Sequence, residues 1–177
     1  MPYYLTDVAE LPYPHTMGER PHQDGRPSNC PLALSRVLRT TSAHPGQDGY
    51  RELFTDTAIA ERRQVCDVHA GDWAVVLPAV TAFLEPFPPT ADPTAIYRAR
   101  KEDPRITGLA RADRILAQAL LNTHDPIKYF LNAHGHLESI GQHRICWART
   151  AGVAAVPVWF DASTVRPPRA AALMQRG

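Results

Sequence analysis

Lysine is almost missing from this chain. Lys101 and Lys128 are the only two among 19 basic residues in a length of 177. Codon usage in a GC-rich genome accounts for such a bias; where it serves function, the planar guanidinium fork of arginine suits phosphate and carboxylate partners. Cysteine is scarce too. Cys30, Cys66 and Cys146 are odd in number and widely spaced, which argues against a disulfide framework and fits a reducing cytoplasm. Nor is there a long apolar run. The longest, 73–77 and 153–160, fall far short of the ~20 residues of a membrane-spanning helix, and no leader-like segment opens the sequence. A large net charge is likewise absent, at +1, so no whole-protein field draws in nucleic acid or membrane. These absences predict a soluble, cytoplasmic protein with no membrane partner.

What the chain holds in excess is proline, with 17 residues, and its placement is informative. Seven lie within 2–45 and six within 78–104, whereas 105–156 contains Pro126 alone. Proline breaks helix interiors and central strands, so the sparse stretch is where regular, packed structure is expected. The length allows one domain of ordinary size with an extension, and 44% hydrophobic residues suffice for a core.

Residues 1–46 show no sustained period and read as an extended arm with one short helix at 32–38. Leu53, Phe54, Ala58 and Ile59 recur at helical spacing, which predicts a helix within 50–63. The apolar segment Trp73–Leu84, interrupted by Pro78, is either a strand followed by a helix or one kinked helix. Pro86, Pro88, Pro89, Asp92 and Pro93 read as an irregular connection that ends the extension. Thr107 is placed to cap a helix that buries Leu109, Ala112, Leu116 and Leu120 and turns Arg111, Arg114 and Gln118 outward, ending near Asn122. Arg98, Arg100, Lys101, Arg105, Arg111 and Arg114 outnumber the acids around them and suggest a basic face.

The last third has the clearest pattern. Residues 126–131 read as a strand, 132–135 as a turn and 136–140 as a returning strand, which makes a hairpin. Gly141 follows, then a helix over 142–151 stopped by Gly152, then a strand over 153–160. A glycine between a strand and a helix start lets the backbone approach a ligand, and the first-turn amides favour an anion. Arg144 is placed to clamp a phosphate, and His143 to donate to it or act as a general base. Gly141-Gln142-His143-Arg144 therefore reads as a phosphate cradle. His134, His136 and His143, joined by Cys146 or by Cys66 and His69, are a weaker zinc candidate. Cys146 with His143 is a weaker nucleophile pair still, and Cys146 reads as a packed helix residue.

The stretch 125–158, with its hairpin, the Gly141-Gln142-His143-Arg144 turn, a helix of small residues, Gly152 and the strand Val156-Pro157-Val158, resembles the ParB/sulfiredoxin superfamily. The resemblance covers about the last third of the chain. It implies an α/β (α+β mixed) fold with a small ParB/sulfiredoxin-like domain at 94–165, a helical and loop-rich extension at 1–93 and a tail at 166–177. It further implies that the turn binds a nucleotide or other phosphate ligand through Gly141, Gln142, His143 and Arg144, with Lys128 and Arg149 assisting. Glu138 and His143 are the implied catalytic pair if phosphoryl transfer follows, and the implied cofactor is a nucleoside triphosphate with Mg²⁺. Gln142 stands where sulfiredoxins carry their catalytic cysteine, which argues against that reaction. Only 17 residues follow Phe160, which leaves no room for the helix-turn-helix of partition proteins. The alternative partner is DNA, met by the same turn and the 98–114 basic face in a nuclease or binding module, and a homodimer is compatible with either reading.

Overall fold

A computed structural model describes residues 3–11, 51–65, 69–131, 137–160, 166 and 169–174. Among them the chain is of mixed α and β content, with a five-stranded mixed sheet and six α-helices. The strands are β1 (Tyr3–Asp7), β2 (Lys128–Leu131), β3 (Leu137–Ile140), β4 (Ala155–Trp159) and β5 (Ala170–Ala172). The helices are α1 (Asp56–Val65), α2 (Trp73–Leu84), α3 (Pro93–Ala99), α4 (Pro104–Thr107), α5 (Arg111–Leu120) and α6 (Gln142–Thr150). The sheet order is β3-β2-β4-β1-β5.

The first strand goes beyond the sequence expectation of an extended arm outside the packed structure. Tyr3–Asp7 lies inside the sheet, antiparallel to β4 from Tyr3↔Trp159 to Asp7↔Ala155, with β5 on its other side. Its aromatic and β-branched residues suit a pleated, buried position. β4 is thus central, yet it contains Pro157, which has no N–H to donate. The register explains the tolerance. β2 meets β4 only at Lys128↔Trp159, where the Trp159 N–H donates to the Ile127 carbonyl at 2.8 Å. Amides two apart point the same way along a strand, so the Pro157 nitrogen faces a part of the edge that β2 never reaches.

The hairpin of β2 and β3 forms as expected, antiparallel with Lys128↔Ile140 and Phe130↔Glu138 in register. Trp73–Leu84 resolves as one helix that continues through Pro78; Pro78 faces solvent, and Trp73, Val76, Val80, Phe83 and Leu84 are buried. Three helices begin on an aspartate. Asp72, Asp92 and Asp103 accept from the amides of Ala74, Thr94 and Arg105 at 2.8, 3.0 and 2.8 Å. After two of these caps stands a proline in the first turn, where its missing N–H costs no hydrogen bond. Pro93, read from sequence as part of an irregular connection, therefore starts a helix. Thr107 does not cap α5; it closes α4, its hydroxyl donating to the Asp103 carbonyl at 3.1 Å, and α5 starts after Ala110 with no side-chain cap. The buried face of α5 is Leu116, Ala117 and Leu120.

One cluster of buried side chains joins all of this. Tyr3 of β1, Val80 and Phe83 of α2, Ile96 of α3, Ile106 of α4, Leu116 of α5, Ile145 of α6 and Val156 and Val158 of β4 belong to the same core. Strands from both ends of the chain thereby belong to the sheet that carries the hairpin. The expected helix at 32–38, the turn at 132–135, Cys30, Cys66, His134 and His136 lie outside the described residues.

Candidate phosphate-binding turn

The turn between β3 and α6 is built around Gly141. Its φ of 86° is left-handed, a conformation that costs a residue with a Cβ about 1–2 kcal/mol. Space is the second constraint. A Cβ at Gly141 would stand 3.1 Å from both the Cα and a side-chain carbon of Ile127, and 3.2 Å from a guanidinium nitrogen of Arg144. The close approach that the glycine permits is thus to the start of β2 and to Arg144. The Gly141 carbonyl accepts from the amides of Arg144 and Ile145 at 2.9 and 3.1 Å, which closes the first turn of α6. Among the described residues no side chain caps this helix, and no acidic residue lies in its first turn.

Arg144 is 6% exposed. Its Nη1 donates to the Ala119 carbonyl at 3.0 Å, and its Nη2 pairs with the Asp125 carboxylate at 3.1 Å. Ala119 is in the last turn of α5, where the carbonyl end of the helix favours a cation. The buried guanidinium is held by a carbonyl and a carboxylate, and it sits directly behind Gly141. Asp125 opens the stretch singled out in the sequence, but nothing local tied it to an arginine 19 positions later.

The other expected site residues fall at different distances from the turn. Lys128, half-buried, lies directly opposite Ile140 in the hairpin ladder, next to Gly141. His143 is half-buried in the first turn, its ring 6.4 Å from that of Trp147. Glu138 is on β3, opposite Phe130, and Gln142 opens α6; their side chains are outside what the structure describes. Arg149 lies two turns along α6 and is engaged elsewhere, its Nη2 donating to the carbonyls of Val8 and Leu11 at 2.9 and 2.7 Å. That contact fastens α6 to the chain leaving β1.

Cys146 is fully buried, and that burial pushes its thiol from the usual 9.0 up to about 12. A thiol so held stays protonated at neutral pH and is a poor nucleophile. Among the described residues no group of three His, Cys, Asp or Glu side chains is placed to hold a metal ion. The basic stretch is only partly a face. Arg100 is buried and donates to the Gln118 carbonyl, Arg105 pairs with Asp103 at 2.7 Å and donates to the Ala82 carbonyl, and Arg114 donates to the Thr107 carbonyl at 3.2 Å. Arg98, Lys101 and Arg111 are exposed. No helix among the described residues is long and apolar enough to cross a membrane.

No family model matches this chain, and comparison with the curated proteins and with the solved structures finds none that is similar.

Proposed function

We propose that the protein binds a nucleotide or another phosphate-bearing ligand at the turn 141–144, in the manner implied by the ParB/sulfiredoxin resemblance. The observation that carries this reading is the start of α6: a left-handed glycine, no side-chain cap, no acid in the first turn, and a buried arginine behind it. First-turn amides and the helix dipole attract an anion. Each residue then has a distinct task. The amides after Gly141 take phosphate oxygens, His143 donates from the first turn, and Lys128 brings charge from the neighbouring strand. Arg144 is a positioning residue, fixed by Asp125 and Ala119 so that its charge lies under the turn. Arg149 serves the fold, through Val8 and Leu11.

A nucleotide's Mg²⁺ is held largely by the phosphates and one or two carboxylates, and Asp125 beside the turn fits that part. When bound, the ion would offset phosphate charge. Phosphoryl transfer with Glu138 and His143 as acid and base is the enzymatic extension of the same proposal. DNA is the second reading, favoured by the exposure of Arg98, Lys101 and Arg111.

Calorimetry with ATP, CTP and GTP, with and without Mg²⁺, tests the first reading. Saturable heat is expected with at least one nucleotide, weakened about tenfold by Lys128→Ala and unchanged by Arg98→Ala. No heat with any of the three would end it. Retention of a DNA fragment in a gel shift, falling steeply with salt and weakened by Arg98→Ala, would move the assignment to DNA.

A further inference from the structure

A second group of donors lies inside the protein, away from the solvent side of the turn. Tyr3 is fully buried, Trp159 is 4% exposed and Arg100 is 7% exposed. The Tyr3 hydroxyl, the Trp159 indole N–H and the Arg100 Nε–H each have no hydrogen-bond partner among the described residues. Buried polar groups are nearly always paired, and these three call for a physical account.

Their proximity follows from the fold. Tyr3 and Trp159 are directly opposite in the β1–β4 ladder, with ring centroids 5.3 Å apart. Cross-strand partners share one face of a sheet, and Lys128, opposite Trp159 on β2, extends the same row toward Gly141. Arg100 and Arg144 approach from the helices. They donate to the carbonyls of Gln118 and Ala119, consecutive residues in the last turn of α5, so both guanidinium groups come to the same end of that helix. Both charges bear on the Tyr3 phenol and pull against the burial that raises its pKa.

All three unpartnered atoms can donate, and the surroundings are cationic. Arg144 has Asp125, but Arg100 has no carboxylate within ion-pair distance among the described residues. Its contacts are the Gln118 carbonyl and the face of Tyr97, 4.1 Å from the ring centroid. A helix C-terminus offsets only about half a charge, and an unpaired buried cation is costly. Acceptors are what this neighbourhood lacks.

We propose that Tyr3, Trp159 and Arg100 form an internal site for a small monovalent anion of halide size, which accepts from the phenol, the indole and the guanidinium. The anion would neutralise Arg100 and lock β1 to the helical layer. It is distinct from the phosphate ligand of the turn and does not depend on it.

Two measurements test this on the whole protein. Crystals soaked in sodium bromide should show an anomalous peak within hydrogen-bond distance of Tyr3 Oη and Trp159 Nε1. A water molecule there, or no peak, would overturn the proposal. In solution, chloride added at constant ionic strength should raise the thermal midpoint in a saturable way, as a ligand of the folded state does. Tyr3→Phe gives the sharper contrast. Without an anion, deleting an unsatisfied buried hydroxyl is neutral or stabilising, and both proteins would respond to chloride alike, which contradicts the site. With an anion, Tyr3→Phe loses most of the chloride response. Because the comparison is between salt responses, it holds as long as the variant folds, and the bromide peak stands without any variant.

Discussion

Among the described helices two kinds of start stand in contrast. α2, α3 and α4 each begin on an aspartate whose carboxylate accepts from a first-turn amide. α5 has no such cap at Ala110 but carries Asp113 in its first turn. In these four the positive end of the helix already has an anion of the chain's own. α6 is built differently. It begins on Gly141, its first turn holds His143 and Arg144 with no acid, and the guanidinium of Arg144 lies behind the glycine. The helix dipole and the Arg144 charge add in the same sense, with Asp125 paired to Arg144 behind the turn, and the proposed reading gives this start an external anion.

The largest effect that probes the contrast is expected at Arg144. Breaking a buried ion pair from one side costs about 3–5 kcal/mol; since the Asp125 side chain is 42% exposed and can rehydrate, Arg144→Ala should cost about 2–3 kcal/mol in chemical denaturation. Arg144→Lys should recover only part of this, because an ammonium cannot present the same fork to Ala119 and Asp125.

Next come Gly141 and Gly152, the glycines with positive φ among the described residues. Gly141→Ala adds the clash with Ile127 to the left-handed strain and should cost about 2–3 kcal/mol. Gly152, φ 67° with nothing within 4 Å of a Cβ, should cost only about 1 kcal/mol as alanine. Equal losses at both positions would show that Ile127 does not constrain the turn.

A cap removed and an acid introduced give smaller effects of opposite sign. Asp92→Ala should destabilise by about 1 kcal/mol. Gln142→Glu, which gives α6 the acid that it lacks, should stabilise by about 0.3–1 kcal/mol at low salt while weakening nucleotide binding. Weakened binding without loss of stability would separate the site from the fold.

Alkaline titration reads the buried core behind α6. Cys146 is raised from 9.0 to about 12, and Tyr3 is raised as well, both by burial. The folded protein keeps these protons while the unfolded chain releases them first. Their stabilisation is therefore full below pH 9 and is lost as pH climbs toward 12. The urea midpoint should fall across that window, and Cys146 should react with a thiol reagent at pH 8 only after unfolding.

How much of this was legible in the sequence depends on the range of the interaction. The β2–β3 hairpin, the glycine between strand and helix, and the length of α6 follow from alternation and glycine punctuation within 126–152, and all are local. The role of Tyr3–Asp7 was not legible, since its partners β4 and β5 lie some 150 residues away and a five-residue segment has no period of its own. Asp92-Pro93 reads as part of an irregular connection because of the proline crowding around it, and the sequence points to a cap at Thr107 where the structure has one at Asp103; Asp92-Pro93 and Asp103-Pro104 are both cap and first turn. For the candidate site, the residue types at 141–144 were apparent, whereas the direction of the Arg144 side chain was not. That depends on where the last carbonyls of α5 and the carboxylate of Asp125 arrive in space. The same holds for Arg149, whose acceptors at Val8 and Leu11 belong to the other end of the chain.

The central claim is that an external phosphate is received by the amides that open α6. Amide resonances of Gln142 and His143, followed by NMR during titration with ATP, CTP and GTP, test it most directly. Saturable downfield shifts at both amides, with those of Thr94 and Arg105 at the aspartate-capped helices unmoved, are the predicted result. Binding that shifts other residues and leaves Gln142 and His143 in place would contradict the account.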